Sequence, residues 1–248
     1  MTATDLLPVF LAAADAARDA VATLHGPARR ARTDRPGQYA LDLAADAAVL
    51  EVLHEAPVRV LSEESGWSGP PDAPVTVVVD PVDGSTNCSR HIPYWGVSLC
   101  ALDGDGPLSA LVVNTTTDEH YSATRGGGAR SDGERLQVSS TTRPEDAVVA
   151  VTGLPRTRCW KQFRALGSAA LALCDVAAGR LDAFLDVLED QHAPWDYLGG
   201  LLVCQEAGAT VVDVHARNLV VADPTARRQL LGAATPELLE RLAPHAVA

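Results

Sequence analysis

The passage that most constrains this 248-residue chain is Val75-Thr76-Val77-Val78-Val79, which runs without a break into Asp80-Pro81-Val82-Asp83-Gly84. Five β-branched residues in succession suit a pleated surface and resist a helix, so they predict a buried strand. Two carboxylates then stand at its exit. Pro81 fixes one φ, and the two-residue spacing lets Asp80 and Asp83 face one side of a tight turn while the Val82 carbonyl also points inward. Gly84 permits a sharp bend, after which the N–H groups of Ser85 and Thr86 can cradle an anion. One short run therefore offers metal ligands and phosphate donors together.

Two further acidic islands match it: Glu63-Glu64 after the short apolar run 58–61, and Asp196 at the predicted start of a helix in Trp195-Asp196-Tyr197-Leu198-Gly199-Gly200. Each lies at the end of an element, where a fold can aim side chains at one point without spoiling its core. Like charges gathered there repel unless a cation sits among them. All-oxygen donors select a hard ion, Mg²⁺, over zinc or copper. The Ser85 hydroxyl beside such an ion can orient a water, with Asp46 or Glu64 taking its proton. Asp42, one turn before Asp46, is the rival for that role.

Composition narrows the class. The chain is 47% apolar and 21% charged, as ordinary globular proteins are, and carries a net charge of −12. That balance repels polyanions, which argues against a nucleic-acid polymer as partner and for a small phosphorylated metabolite that needs a cation as intermediary. Five widely spaced cysteines without a CxxC pair read as reduced thiols of a cytoplasmic protein. No apolar run is long enough for a membrane span, and none reads as a signal peptide.

The pattern predicts helices over 8–24 and 43–54, a loop over 66–74, paired strands over 95–103 and 107–113, a Gly turn at 126–128 and a strand over 135–138. Beyond a seam near 139–146, strands at 147–151, 181–187, 210–214 and 218–222 alternate with helices at 168–178, 196–207 and 236–243. This gives an N-terminal lobe, 1–145, carrying the acidic motifs and a C-terminal lobe, 146–248, completing one catalytic unit. His91, His120, His192 and His215 show no ligand spacing and read as structural or surface residues. Arg156, Arg158, Lys161 and Arg164 read as a solvated basic face, with the steering of an anionic substrate as the sharper alternative.

Ser62-Glu63-Glu64-Ser65, Asp80 to Asn87, and Trp195 to Gly200 through Glu206-Ala207-Gly208-Ala209 resemble, in order and spacing, the signatures of the inositol monophosphatase family. The segment from Gly167-Ser168-Ala169-Ala170 to Asp182 resembles its substrate-side stretch. The resemblance implies an α+β fold, the αβαβα layered sandwich of the inositol monophosphatase and fructose-bisphosphatase type, in a homodimer with two or three Mg²⁺ ions and lithium sensitivity. Carried over residue by residue, it implies Glu63, Asp80 and the Val82 carbonyl as ligands of one ion and Asp80, Asp83 and Asp196 as ligands of a second. Ser85, where the family has threonine, would act with Asp46 on the water, and Glu64 would stand behind the ligands or meet a third ion. Gly84, Ser85 and Thr86 would hold phosphate, Ala169 would approach the substrate hydroxyls, and Asp186 or Glu189 would contact the substrate.

The implied reaction is hydrolysis of a polyol or sugar-like phosphate monoester of the inositol-1-phosphate type by a metal-activated water. Histidinol phosphate is the runner-up substrate, and a nucleoside 3′-phosphate or fructose bisphosphate ranks lower. A non-catalytic phosphate-ligand sensor is the alternative of another class. The chain departs from the family where threonines precede Asp46 and where an upstream lysine stands. Lys161 is its only lysine, so the upstream lysine is either missing or replaced, with Arg35 as the candidate.

Overall fold

The computed structural model describes residues 3–246, with side chains from Leu6 onward. Helix α1 (Ala3–Ala22) buries Leu6, Phe10, Ala13, Ala17 and Val21, a stripe at helical spacing. It starts before Pro8, not at it. Pro8 lies in the second turn and leaves one carbonyl without its intrahelical donor. After the short α2 (Gly26–Arg29), α3 (Ala40–Leu53) begins ahead of the predicted Leu43. Its first turn is closed by the Asp42 carboxylate, which accepts the Tyr39 N–H at 2.7 Å.

The next elements are β1 (Arg59–Ser62), β2 (Gly66–Ser68), β3 (Thr76–Asp83), α4 (Ser85–Ser89), β4 (Gly96–Asp103), β5 (Gly106–Asn114), β6 (Glu119–Thr124), β7 (Gly128–Ser131) and β8 (Glu134–Arg135). Their strands form one sheet in the order β2-β1-β3-β4-β5-β6-β7-β8, with β1 and β3 parallel and all other neighbours antiparallel. β2 occupies part of the predicted 66–74 loop. Of the predicted strand 135–138, only Arg135 pairs, as part of β8. β6 escapes the pattern because its polar residues, Glu119, His120, Ser122 and Thr124, give no apolar run.

β3 does not end at Val79. It continues to Asp83, and its register against β4 moves from Asp80↔Ser98 to Asp83↔Gly96, three residues against two. That is a bulge with one extra residue, and such kinks re-aim side chains. The predicted turn at Asp80–Asp83 is thus a bulged strand end, and Gly84 at φ 96° makes the bend into α4.

The chain then forms β9 (Val148–Thr152), β10 (Gln162–Arg164), α5 (Ala169–Ala177), β11 (Ala183–Asp186), α6 (Pro194–Ala207), β12 (Thr210–Asp213), β13 (Leu230–Ala233) and α7 (Pro236–Ala246). The second sheet has the order β10-β9-β11-β13-β12. No strand forms over 218–222. Leu219 is buried there, but its carbonyl is taken by the Tyr197 hydroxyl at 2.8 Å instead of a ladder, and β13 supplies the edge that β12 pairs with.

Five layers result. α1 and α3 cover one face of the large sheet, where Phe10, Val49 and Leu53 meet Val77, Val79, Leu99 and Leu111. The alternate residues Leu61, Val78 and Val112 point the other way, onto Leu171, Leu173, Leu201 and Val203 of α5 and α6. Those helices meet Phe184 and Leu230 of the second sheet, whose far side carries Leu238 and Leu242 of α7. This is the αβαβα layered α+β fold. Gly199 and Gly200 let α6 approach: a Cβ on Gly199 would stand 2.6 Å from the Ser98 hydroxyl and one on Gly200 2.7 Å from the Leu173 Cβ.

Candidate metal centre and active site

The ends of β1, β3 and α6 converge. Glu63 follows β1 and is tied by its N–H to the Val79 carbonyl at 3.1 Å, Asp80 stands at the bulge, and Asp196 is in the first turn of α6. Each of the three offers one carboxylate oxygen, and those oxygens lie within 4.8 Å of one another. Asp80 is 2% exposed. Burial, and then the charges of its acidic neighbours, pushes the Glu63 carboxyl well above its ordinary range, and the same causes raise Asp80. Among the described residues no arginine or lysine pairs with any of the three side chains. An oxygen-only cluster of this kind fits a hard divalent cation.

Asp83 lies beside them with one oxygen fixed. Its Oδ2 accepts the Ser168 hydroxyl at 2.6 Å and the Ala170 N–H at 2.8 Å, so the start of α5 holds it. Burial and the Asp196 charge carry its pKa up to about 6 against those two bonds. The Val82 carbonyl accepts the Ser85 hydroxyl at 3.0 Å, which places that hydroxyl against the acidic cluster's backbone.

The two rival acids of α3 have different surroundings. Asp46 accepts the Ser62 hydroxyl and so braces β1 just before Glu63. Asp42 is the acid beside Ser85: burial raises its pKa to about 6, while the Tyr39 N–H and the Ser85 hydroxyl oppose the rise. Its Oδ1 is buried without a partner. Of the two acids it is Asp42 whose carboxyl Ser85 influences, while the Asp46 carboxylate is engaged by the Ser62 hydroxyl. Glu64 is held by Gln38 and by Arg35, whose Nη1 lies 3.3 Å from both the Glu64 carboxylate and the Glu63 carbonyl. Burial raises Glu64, and those partners restrain the shift. Arg35 therefore lies on the Glu63–Glu64 flank of the cluster.

Beside the acids opens a cavity of about 260 Å³ whose walls include Asp83, Asp196, Ser168, Ala169, Phe184 and His192. The two acids expected to meet substrate do not line it. Asp186 is 0% exposed, with one oxygen taken by the Leu188 N–H at 3.0 Å, because β11 ends by capping its own turn. Glu189 sits on the outward bend beyond it, exposed, 3.9 Å from His215. The chain returns to the cavity only at His192, whose backbone bridges to Arg228. His192 is the site residue that spacing alone passes over, because it stands before α6, in a bridge to Arg228 that no local pattern announces. Burial lowers its pKa, but the Asp196 and Asp186 carboxylates carry it net upward.

The inositol monophosphatase family model matches residues 9–248. "Nus factor SuhB" of Escherichia coli K12 is 32% identical over 228 residues, 82% of this chain and 84% of that protein. The "Fructose-1,6-bisphosphatase/inositol-1-monophosphatase" of Thermococcus kodakarensis is 34% identical over 211 residues, 82% of this chain and 80% of that one. A solved protein of Pyrococcus horikoshii, described as having similarities to inositol-1 monophosphatase, superposes with a TM-score of 0.88 at 24% identity, covering 98% of this chain and 99% of its own. The fold, the acidic signatures in their observed places and these matches agree: the chain belongs to the inositol monophosphatase family.

Proposed function

We propose that this chain is a cytoplasmic Mg²⁺-dependent phosphatase that hydrolyses the monoester of a small polyol or sugar-like alcohol, of the inositol-1-phosphate type. The observation that carries the reading is the set Glu63, Asp80 and Asp196, three acids within ligand reach of one another and, among the described residues, without an arginine or lysine on any of their side chains. Divalent ions held there, with Asp83 and the Val82 carbonyl completing the set, would supply charge neutralisation and water activation. The chain's own residues do the rest. Ser168 and the Ala170 N–H fix Asp83, so that its other oxygen faces the cluster. Gly84, Ser85 and Thr86 present backbone donors to the phosphate, and Ser85 with Asp42 accepts and holds a proton at the attacking side. Glu64, tied to Arg35 and Gln38, stands behind the ligands. The cavity beside Ala169 takes the leaving alcohol.

The Thermococcus relative's name couples two substrates, and the Escherichia relative's name, "Nus factor SuhB", gives none. A panel of inositol, histidinol, sugar, fructose-bisphosphate and nucleoside 3′-phosphates, assayed for phosphate release with and without Mg²⁺, separates the readings. Release only with Mg²⁺ supports the phosphatase and ranks its substrates. No release from any member refutes it and favours a non-catalytic phosphate-ligand sensor. A homodimer and inhibition by lithium belong to the same reading, checked by light scattering and by adding LiCl to the assay.

A further inference from the structure

Two buried polar atoms outside the ligand set have no hydrogen-bond partner and lie close to each other: Asp186 Oδ2 and His192 Nε2, 3.4 Å apart. The Asp186 side chain is wholly inaccessible, and among the described residues no arginine or lysine reaches it. A buried carboxylate in that condition is costly, and native structures seldom keep one without a use. The other ring nitrogen, His192 Nδ1, lies 3.7 Å from Asp196 Oδ2, the oxygen that also accepts the Ala193 N–H at 2.6 Å. The ring is not free to turn away. Its backbone is clamped to Arg228 by bonds of 3.1 and 2.7 Å, and Phe184 packs against it with centroids 5.8 Å apart.

We propose that Asp186 and His192 are positioning residues: they form a relay, carboxylate to imidazole to carboxylate, that orients Asp196 and thereby sets the affinity of the cluster for its divalent cation. Holding Oδ2 from behind leaves Oδ1 to point at Glu63 and Asp80. Partners that fix a ligand in this way commonly change metal affinity by about 10- to 100-fold when removed. The relay also accounts for an acid at position 186 that never reaches the cavity. The inference rests on the metal-dependent reading above, and its test reads binding, not turnover.

The experiment is calorimetric titration of MgCl₂ into the metal-free full-length chain, for the wild type, D186N, H192F and the double variant, each with its metal-free melting temperature. His192→Phe keeps a ring against Phe184 and removes both nitrogens; Asp186→Asn keeps shape and removes charge. The expected result is an Mg²⁺ dissociation constant raised about 10-fold in each single variant, with the double variant no worse than the singles, because a relay fails when either member goes. The metal-free melting temperature is expected to hold in D186N. Unchanged Mg²⁺ affinity in a folded D186N overturns the proposal, as does a double variant whose losses multiply. If H192F fails to fold, H192N replaces it beside D186N in the same titration, with the same outcomes deciding. A wild type that binds Mg²⁺ but releases no phosphate from any ester defeats the phosphatase reading while leaving the relay to be judged by these constants; a hydrolytic wild type with unaltered variants does the reverse.

Discussion

Two acidic clusters lie inside this molecule, and they are finished differently. In one, Glu119 of β6 and Asp175 of α5 share Arg180: its Nη1 lies 2.8 Å from Glu119 and 3.3 Å from Asp175, with the Tyr121 hydroxyl beside it, and Tyr94 donates to Asp175 at 2.7 Å. The bond from Arg180 holds the Glu119 pKa down to about 2. In the other, Glu63 and Asp80 are pushed well up by burial and by one another, with no guanidinium among them. The first cluster carries its own counter-charge and is complete as structure. The second has no such counter-charge among its own side chains, and on the proposed reading a cation from outside completes it.

The largest effects test that contrast directly. Asp80→Asn is expected to lower Mg²⁺-dependent phosphate release by more than about 100-fold, beyond the range of partners that only orient a ligand. It relieves repulsion in the metal-free chain, so its melting temperature there stays level or rises. Arg180→Met is expected to do the opposite: about 1 to 2 kcal/mol of stability lost, discounted because the guanidinium is half exposed, with turnover kept. Turnover and denaturant unfolding on both variants decide it. Loss of activity in R180M with D80N still active would erase the distinction between the clusters.

A smaller effect sharpens it within α3. Asp42→Asn is expected to reduce turnover by about 100-fold or more, the usual worth of a positioned proton acceptor, while its amide oxygen can still accept the Tyr39 N–H and keep the chain folded. Asp46→Asn, which weakens the buried bond to Ser62, is expected to cost about 1 kcal/mol of stability and little turnover. Equal turnover loss in both would return Asp46 to the water-handling role.

These assignments show where the sequence was legible. The motif residues Glu63, Asp80, Asp83 and Asp196 could be grouped because each follows a signal that survives without tertiary context: a β-branched strand, a Pro-Gly turn, a helix start. Asp42 and Asp46 could not be ranked, since both lie on the same helical face and what distinguishes them is their partners, the Tyr39 N–H for one and the Ser62 hydroxyl of β1 for the other. Asp186 and Glu189 misled for a related reason. The bend from 187 to 191 turns on Asp186 accepting the Leu188 N–H, a local bond that sends Glu189 outward and brings His192 back. β10 and β13 were missed because Gln162, Arg164 and Gly232 break the alternation, and their pairing with β9, β11 and β12 is long-range.

The smallest expected effect concerns pH, and its sign follows from the same two clusters. Asp83, at about 6 folded against an ordinary value near 4, favours the folded chain when protonated: that stability is full below about pH 4 and is lost as pH rises through about 6. Glu63 and Asp80 act in the same direction, and so does His192. Glu119 acts oppositely, its stability being present above its ordinary pKa and lost only as pH falls toward 2. Between pH 5 and 7.5 Glu119 is therefore silent. In EDTA the melting temperature is expected to be higher at pH 5 than at pH 7.5, by about 2–4 °C for each kcal/mol of repulsion. Saturating Mg²⁺ reverses that order, because the ion binds the deprotonated carboxylates. Asp83→Asn flattens the EDTA slope and isolates the cluster's share from Asp42, Asp175 and Asp186, which are also raised. A melting temperature in EDTA that climbs from pH 5 to 7.5 in the wild type would mean that these acids do not repel one another when no ion is present, and the contrast between the two clusters would fall with it.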